Sequence, residues 1–248
     1  MATGWCWRFA DRAVVAAPVS GIARVVPPAC GNLKEILEQF EQSEQGEGVS
    51  ARAPLLALAG YLGHMWELDA MWAWLPVFLT ELYWDRELAL LGLQARPLAA
   101  FGVFALGAVS CVVAGGLAER YGRTAFTSAA MLISGATALT IGCVPVSLPL
   151  VTALAAIWGA TVVADSAQFS AAMTELADER YRGSVLALQT GVGFLLTAVT
   201  IRGVPLLESA ADCGTAFTVL EIGPALGVVA MLALRRRPEA LQLASGRR

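Results

Sequence analysis

Along the chain, apolar residues gather into six runs, roughly 54 to 80, 97 to 118, 124 to 144, 148 to 173, 184 to 207 and 215 to 234, separated by short charged clusters except at 145 to 147. Each run is close to the 20 or so residues that carry a helix across about 30 Å of hydrocarbon at 1.5 Å per residue. The pattern predicts an all-α membrane protein with six transmembrane helices. Composition agrees: 57% of the 248 residues are hydrophobic, 15% are charged and the mean hydropathy is +0.63, whereas charged residues make up about a quarter of an ordinary soluble domain. The first expected partner is therefore a lipid bilayer, and nucleic acid is not expected.

If the spans alternate in direction, one side of the membrane holds Arg52, Arg120, Arg123, Arg180, Arg182, Arg235, Arg236, Arg237, Arg247 and Arg248, and the other only Arg86, Arg96 and Arg202. This bias of ten to three predicts cytoplasmic termini in a cell (inner or plasma) membrane. Net charge, −3, adds little, because in a membrane protein the placement of positive residues matters more than their sum.

The flanks read differently. Residues 1 to 53 are expected to form a cytoplasmic tail, partly disordered, with one short helix at 32 to 41. Their apolar middle, bracketed by Asp11, Arg12 and Arg24, is too short to span. The membrane domain is assigned to 54–235 and a basic cytoplasmic tail to 236–248. Cys6, Cys30, Cys111, Cys143 and Cys213 are odd in number and lack a C-x-x-C pair, so neither a disulfide framework nor a metal site is indicated. No cofactor is expected.

Two charged loops carry recognisable spacing. GGLAERYGRT, residues 115 to 124, leaves the second run at paired glycines, places Glu119 and Arg120 at the interface, turns at Gly122 and re-enters behind Arg123. Gly115, Glu119, Arg120, Gly122 and Arg123 match G-x-x-x-(D/E)-R-x-G-R, and in this the chain resembles the major facilitator superfamily. Thr124 departs from the basic residue often found next. The later ELADERYRGS, 175 to 184, with Glu175, Arg180 and Arg182, is similar to the E-x(6)-R-G element of the same superfamily. GHMWEL and its tryptophan-rich continuation resemble the seventh helix of some bacterial members.

The resemblance implies a secondary transporter in which these clusters close the cytoplasmic side as a gate, and six helices that form one half of a two-half bundle. With a single copy of the loop motif, the chain most resembles the C-terminal half, either a truncated gene product or a subunit. A six-span intramembrane enzyme is disfavoured, because there is one histidine, no H-E-x-x-H and no G-x-S-x-G. A non-transporting fragment is the remaining alternative.

Ionisable groups inside an apolar run are costly and need a use. In GYLGHMWELDAMWAW, His64 and Glu67 share a face at i and i+3, continued by Met71 and Trp74, while Asp69 projects about 200° from Glu67. That face is expected to line a solute pathway, with His64 and Glu67 as a proton-handling pair. Asp165 and Gln168 form a second polar face in the fourth run, with Trp158 and Thr161 on the same stripe, and Gln189 in the fifth needs an internal partner. Arg202 and Glu221 are candidates for pairing near the outer ends of the last two runs. Residues 97 to 118 contain no charge, which disfavours nitrate and leaves a cation, a neutral solute or proton exchange. A lone half is expected to expose His64, Glu67 and Asp165 unless a second six-helix half or a homodimer covers them. Gly223 and Gly227 are expected to assist that assembly.

Overall fold

A computed structural model describes residues 52–83, 89–90, 93–143, 147–210 and 213–247. The expected tail, 1 to 53, lies outside the described residues except for Arg52 and Ala53, which already belong to the first helix. In chain order the elements are α1 (Arg52–Leu82), a two-residue antiparallel pair β1 (Ala89–Leu90) and β2 (Leu93–Gln94), α2 (Ala95–Tyr121), α3 (Arg123–Cys143), α4 (Leu148–Ala164), α5 (Ser166–Leu176), α6 (Arg182–Ala210), α7 (Cys213–Arg235) and a 3-10 segment, Pro238–Gly246. The described residues are thus essentially all-helical. The fourth apolar run is two helices that meet at Asp165, and the basic tail is partly folded.

Among the described residues, five stretches have the length and composition of membrane spans: Pro97–Tyr121, Arg123–Gly142, Leu148–Leu176, Arg182–Leu207 and Thr218–Arg235. Their outer surfaces are apolar, with Val112 81%, Leu195 71% and Val229 64% exposed. Such an exterior suits hydrocarbon better than water and is compatible with a multi-pass membrane protein. The first run, α1, is absent from this set because His64, Glu67 and Asp69 lower its hydropathy. At 31 residues it is nevertheless the longest helix among the described residues, about 46 Å at 1.5 Å per residue. It lies against α7, α6, α5, α2 and α4, so its polar side chains meet protein.

Contacts along α1 fix the direction of its neighbours. Gly60, Gly63 and Trp66 lie against Gly227, Gly223 and Val219, so α7 is antiparallel to α1. Tyr61 lies against Gly193, and Trp74 Nε1 donates to the Ile201 carbonyl at 3.0 Å, so α6 is parallel to it. At the far end Tyr83 Oη and Thr152 Oγ1 are 2.8 Å apart.

The α1–α7 seam is close enough to need glycine. A Cβ on Gly63 would lie 2.8 Å from Gly227 Cα and nearer still to the Gly223 carbonyl, while one on Gly223 would meet the Gly63 carbonyl at 2.7 Å. The glycine pair expected to join separate subunits is therefore used within the chain. Side-chain-free surfaces let two backbones approach where hydrophobicity gives no drive for association.

The packing has an internal symmetry. The pairs α1·α6 and α1·α7 correspond to α4·α2 and α4·α3 when the first three helices of the bundle are exchanged with the last three, and α3·α7 maps onto itself. Since α1 and the α4–α5 pair run in opposite directions, the two triplets are inverted with respect to each other.

Candidate functional site

The site begins at the break in the fourth run. Pro149 lies in the first turn of α4, where a missing N–H costs little, and the helix proceeds through LVTALAAIWGATVVA to Asp165, with φ −87° and ψ −13°. Ser110 Oγ donates to the Ala160 carbonyl at 2.6 Å and Cys111 Sγ to the Val163 carbonyl at 3.1 Å, so α2 supplies donors to carbonyls beside the break. The Asp165 side chain makes no capping hydrogen bond. It reaches across the bundle instead.

His64 Nδ1 lies 2.9 Å from Asp165 Oδ1, and both side chains are 1% exposed. The rings of Phe169 and Tyr61 stand 5.4 and 6.2 Å from the imidazole. His64 Nε2 has no hydrogen-bond partner among the described residues. The two groups stand within ion-pair distance, and the pair is ionic only when the imidazole is protonated; Asp165 Oδ1 accepts no hydrogen bond among the described residues.

Glu67, one turn further along α1, has its own partners. Trp158 Nε1 donates to Oε1 at 2.6 Å and Ser134 Oγ to Oε2 at 2.9 Å. The expected His64–Glu67 face thus divides: His64 goes to the α4–α5 break and Glu67 to α3 and α4. Residues at i and i+3 share a face, but each side chain meets whatever helix stands opposite at its own level.

At the end of the bundle that holds the 119–123 loop, Gly122 takes φ +94°, the left-handed conformation in which a side chain is penalised, and joins α2 to α3 almost directly. Arg123 then turns inward. Its Nε and Nη2 donate to the two oxygens of Glu175 at 2.8 and 2.6 Å, and its Nη1 to Gln168 Oε1 at 2.6 Å. A planar guanidinium that grips a carboxylate with two parallel hydrogen bonds is stronger and more directional than a point charge. The C-terminal segment adds the Ala244 N–H, 3.1 Å from Glu175 Oε2, and Arg247 Nη1 donates to the Glu119 carbonyl at 2.8 Å.

The structure therefore brings together His64 with Asp165, and Arg123 with Glu175 and Gln168. Met71 is buried in the interior beside α4, and Trp74 is held by the Ile201 carbonyl. Gln189 is 1% exposed, yet neither amide atom has a partner among the described residues. Gly115 is open, Arg120 lies 5.5 Å from the Tyr121 ring, Arg180 is exposed, and Arg182 pairs with Glu179 on the surface at 3.5 Å. Arg202 is exposed and forms no ion pair with Glu221, which instead lies over Gly135. Asp69 lies beside Thr197 on α6.

Two participants, Ser134 and Ala244, were missed from the sequence. Ser134 and Trp158 hold Glu67; Trp158 was placed on the Asp165 stripe, but its reach to α1 was not foreseen. Ala244 acts through its backbone, which no side-chain pattern reveals. The burial of His64, Glu67 and Asp165 within one chain also corrects the expectation that another half must cover them, because α3, α4 and α5 already do so.

The fold and site define an all-helical bundle with five helices apolar enough to cross a membrane and a buried ionisable pair at its centre. Comparison with protein-family models, curated proteins and solved structures finds no match to the chain.

Proposed function

We propose that the chain is a six-helix unit of a secondary transporter of the major facilitator type, which moves a small solute together with protons by alternating access. In this reading α1 also spans, which brings the number to six, and is shielded by its neighbours. The gate end faces the cytoplasm, following the arginine bias of that end. A second six-helix half or a second copy of the chain completes the pathway. No catalytic step is assigned to it.

The observation that carries the reading is the His64–Asp165 pair, fully buried at the break between α4 and α5. An intramembrane ionisable pair is costly and marks a proton or substrate path by default. Its position has a mechanical consequence. The short helix α5 begins beside Asp165 and carries Gln168 and Glu175, both bonded to Arg123. A change in protonation that loosens His64 from Asp165 frees the break to hinge, and α5 then draws Glu175 away from Arg123. The inverted triplets support the same reading, because rocking carriers are built from such repeats.

Purified protein in liposomes loaded with a pH-sensitive dye tests this. A panel of small cations and neutral solutes is offered under an imposed proton gradient. Gradient-driven accumulation of one class is expected, with accumulation lost and solute exchange retained in Asp165→Asn. Equal accumulation by Asp165→Asn and the parent contradicts the proposal.

A further inference from the structure

The segment after α7 is buried and conformationally unusual. Pro238–Gly246 packs against α5, α2 and α7, and Ala240 and Leu243 are 0% exposed. Leu243 leaves the helical conformation at φ −76°, ψ 139°, and three consecutive residues then take left-handed backbone: Ala244 at φ 45°, Ser245 at φ 57° and Gly246 at φ 93°. Only the last is glycine. Non-glycine residues persist in this region when the surrounding structure over-determines them. Here the constraint is visible, because the turn seats Leu243 and aims the Ala244 N–H at Glu175, the same carboxylate that Arg123 grips.

We propose that this segment is a latch on the Arg123–Glu175 pair: by seating Leu243 and donating the Ala244 N–H to Glu175, it holds that end of the bundle shut, and its detachment precedes opening. The proposal rests on the gate assigned above and adds its regulation. Glu175 has two oxygens, and with both facing Arg123 the additional N–H on Oε2 fixes the carboxylate in the closed position. The left-handed turn makes the latch two-state, because detachment relieves the strained residues while attachment regains the buried leucine.

Water access beside the gate reads the latch directly. Ala172, 0% exposed and one turn before Glu175 on α5, is replaced by cysteine in a full-length chain whose native cysteines are changed to serine. Labelling by a membrane-impermeant maleimide is then timed in vesicles with that end exposed. We expect Leu243→Asp to speed labelling at least tenfold, and Ala244→Gly with Ser245→Gly, which relieves the strain while keeping the seat, to slow it. Unchanged rates in both overturn the latch.

Glu175→Gln separates the two ideas. Faster labelling there, with no effect of the tail variants, keeps the gate and removes the latch, whereas no effect of Glu175→Gln removes the gate itself. Cysteine at Ala138, 0% exposed within α3, controls for general loosening. If Leu243→Asp also exposes it, the glycine pair decides: slower labelling supports the latch and unchanged labelling overturns it.

Discussion

Replacing Gly63 by alanine tests the seam that positions α1. A methyl there would stand 2.8 and 2.9 Å from Gly227 Cα and N, about 0.6 Å inside an ordinary contact, and closer to the Gly223 carbonyl. All three obstacles are backbone, so no side chain can swing aside and the helices must separate. Overpacking of this kind costs about 1–3 kcal/mol, and a gap approaching 1 Å forfeits a quarter or more of each contact along the seam. We take about 3 kcal/mol, reduced by about 1 kcal/mol because alanine favours helix over glycine, for a net loss near 2 kcal/mol. At about 2–4 °C per kcal/mol this lowers Tm by roughly 4–8 °C. Gly102, with nothing within 4 Å of its added Cβ, is the control and is expected to hold or raise Tm. Thermal unfolding followed by tryptophan fluorescence in detergent measures both. A Gly63→Ala variant no less stable than Gly102→Ala refutes the close seam.

Glu67→Leu leaves the donors of Trp158 and Ser134 without their carboxylate and is expected to lose about 1–3 kcal/mol, against about 1 kcal/mol or less for Glu67→Gln, which keeps one acceptor; chemical denaturation ranks the two. Arg123→Lys keeps the charge but cannot reproduce the three-way grip on Glu175 and Gln168, so labelling of Ala172→Cys is expected to accelerate although net charge is unchanged. Glu179, with a side chain 86% exposed, gives a topology marker. Glu179→Cys is expected to react with impermeant reagent in inside-out vesicles and not in right-side-out ones.

The helices were legible because each apolar run is long and most end in charge, the third and fourth being parted only by Pro145 and Ser147. The turn at Gly122 was legible because a motif spaced its residues. The break at Asp165 was not, since a run of apolar residues through 148 to 173 looks continuous, and one aspartate within it reads as a functional group before it reads as a helix end. Partner choice was least legible. His64 and Glu67 share a face, but which helix stands opposite each depends on the level at which α4 and α3 cross α1. The seam shows the same limit: G-x-x-x-G announces close packing without saying whether the partner helix lies in the same chain. Arg123 and Glu175, 52 residues apart, were each visible as loop charges, while their bond and its third member, Ala244, follow from tertiary structure alone.

The central claim is that the buried polar cluster meets water from each side in turn. Ser134, 1% exposed and bonded to Glu67, places a reporter beside that cluster when changed to cysteine in a chain with its native cysteines replaced. Impermeant maleimide is applied to sealed vesicles of known orientation from one side and then, separately, from the other. Alternating access predicts labelling from both sides, with Asp165→Asn changing the ratio of the two rates. Labelling from neither side, or from one side only, contradicts it.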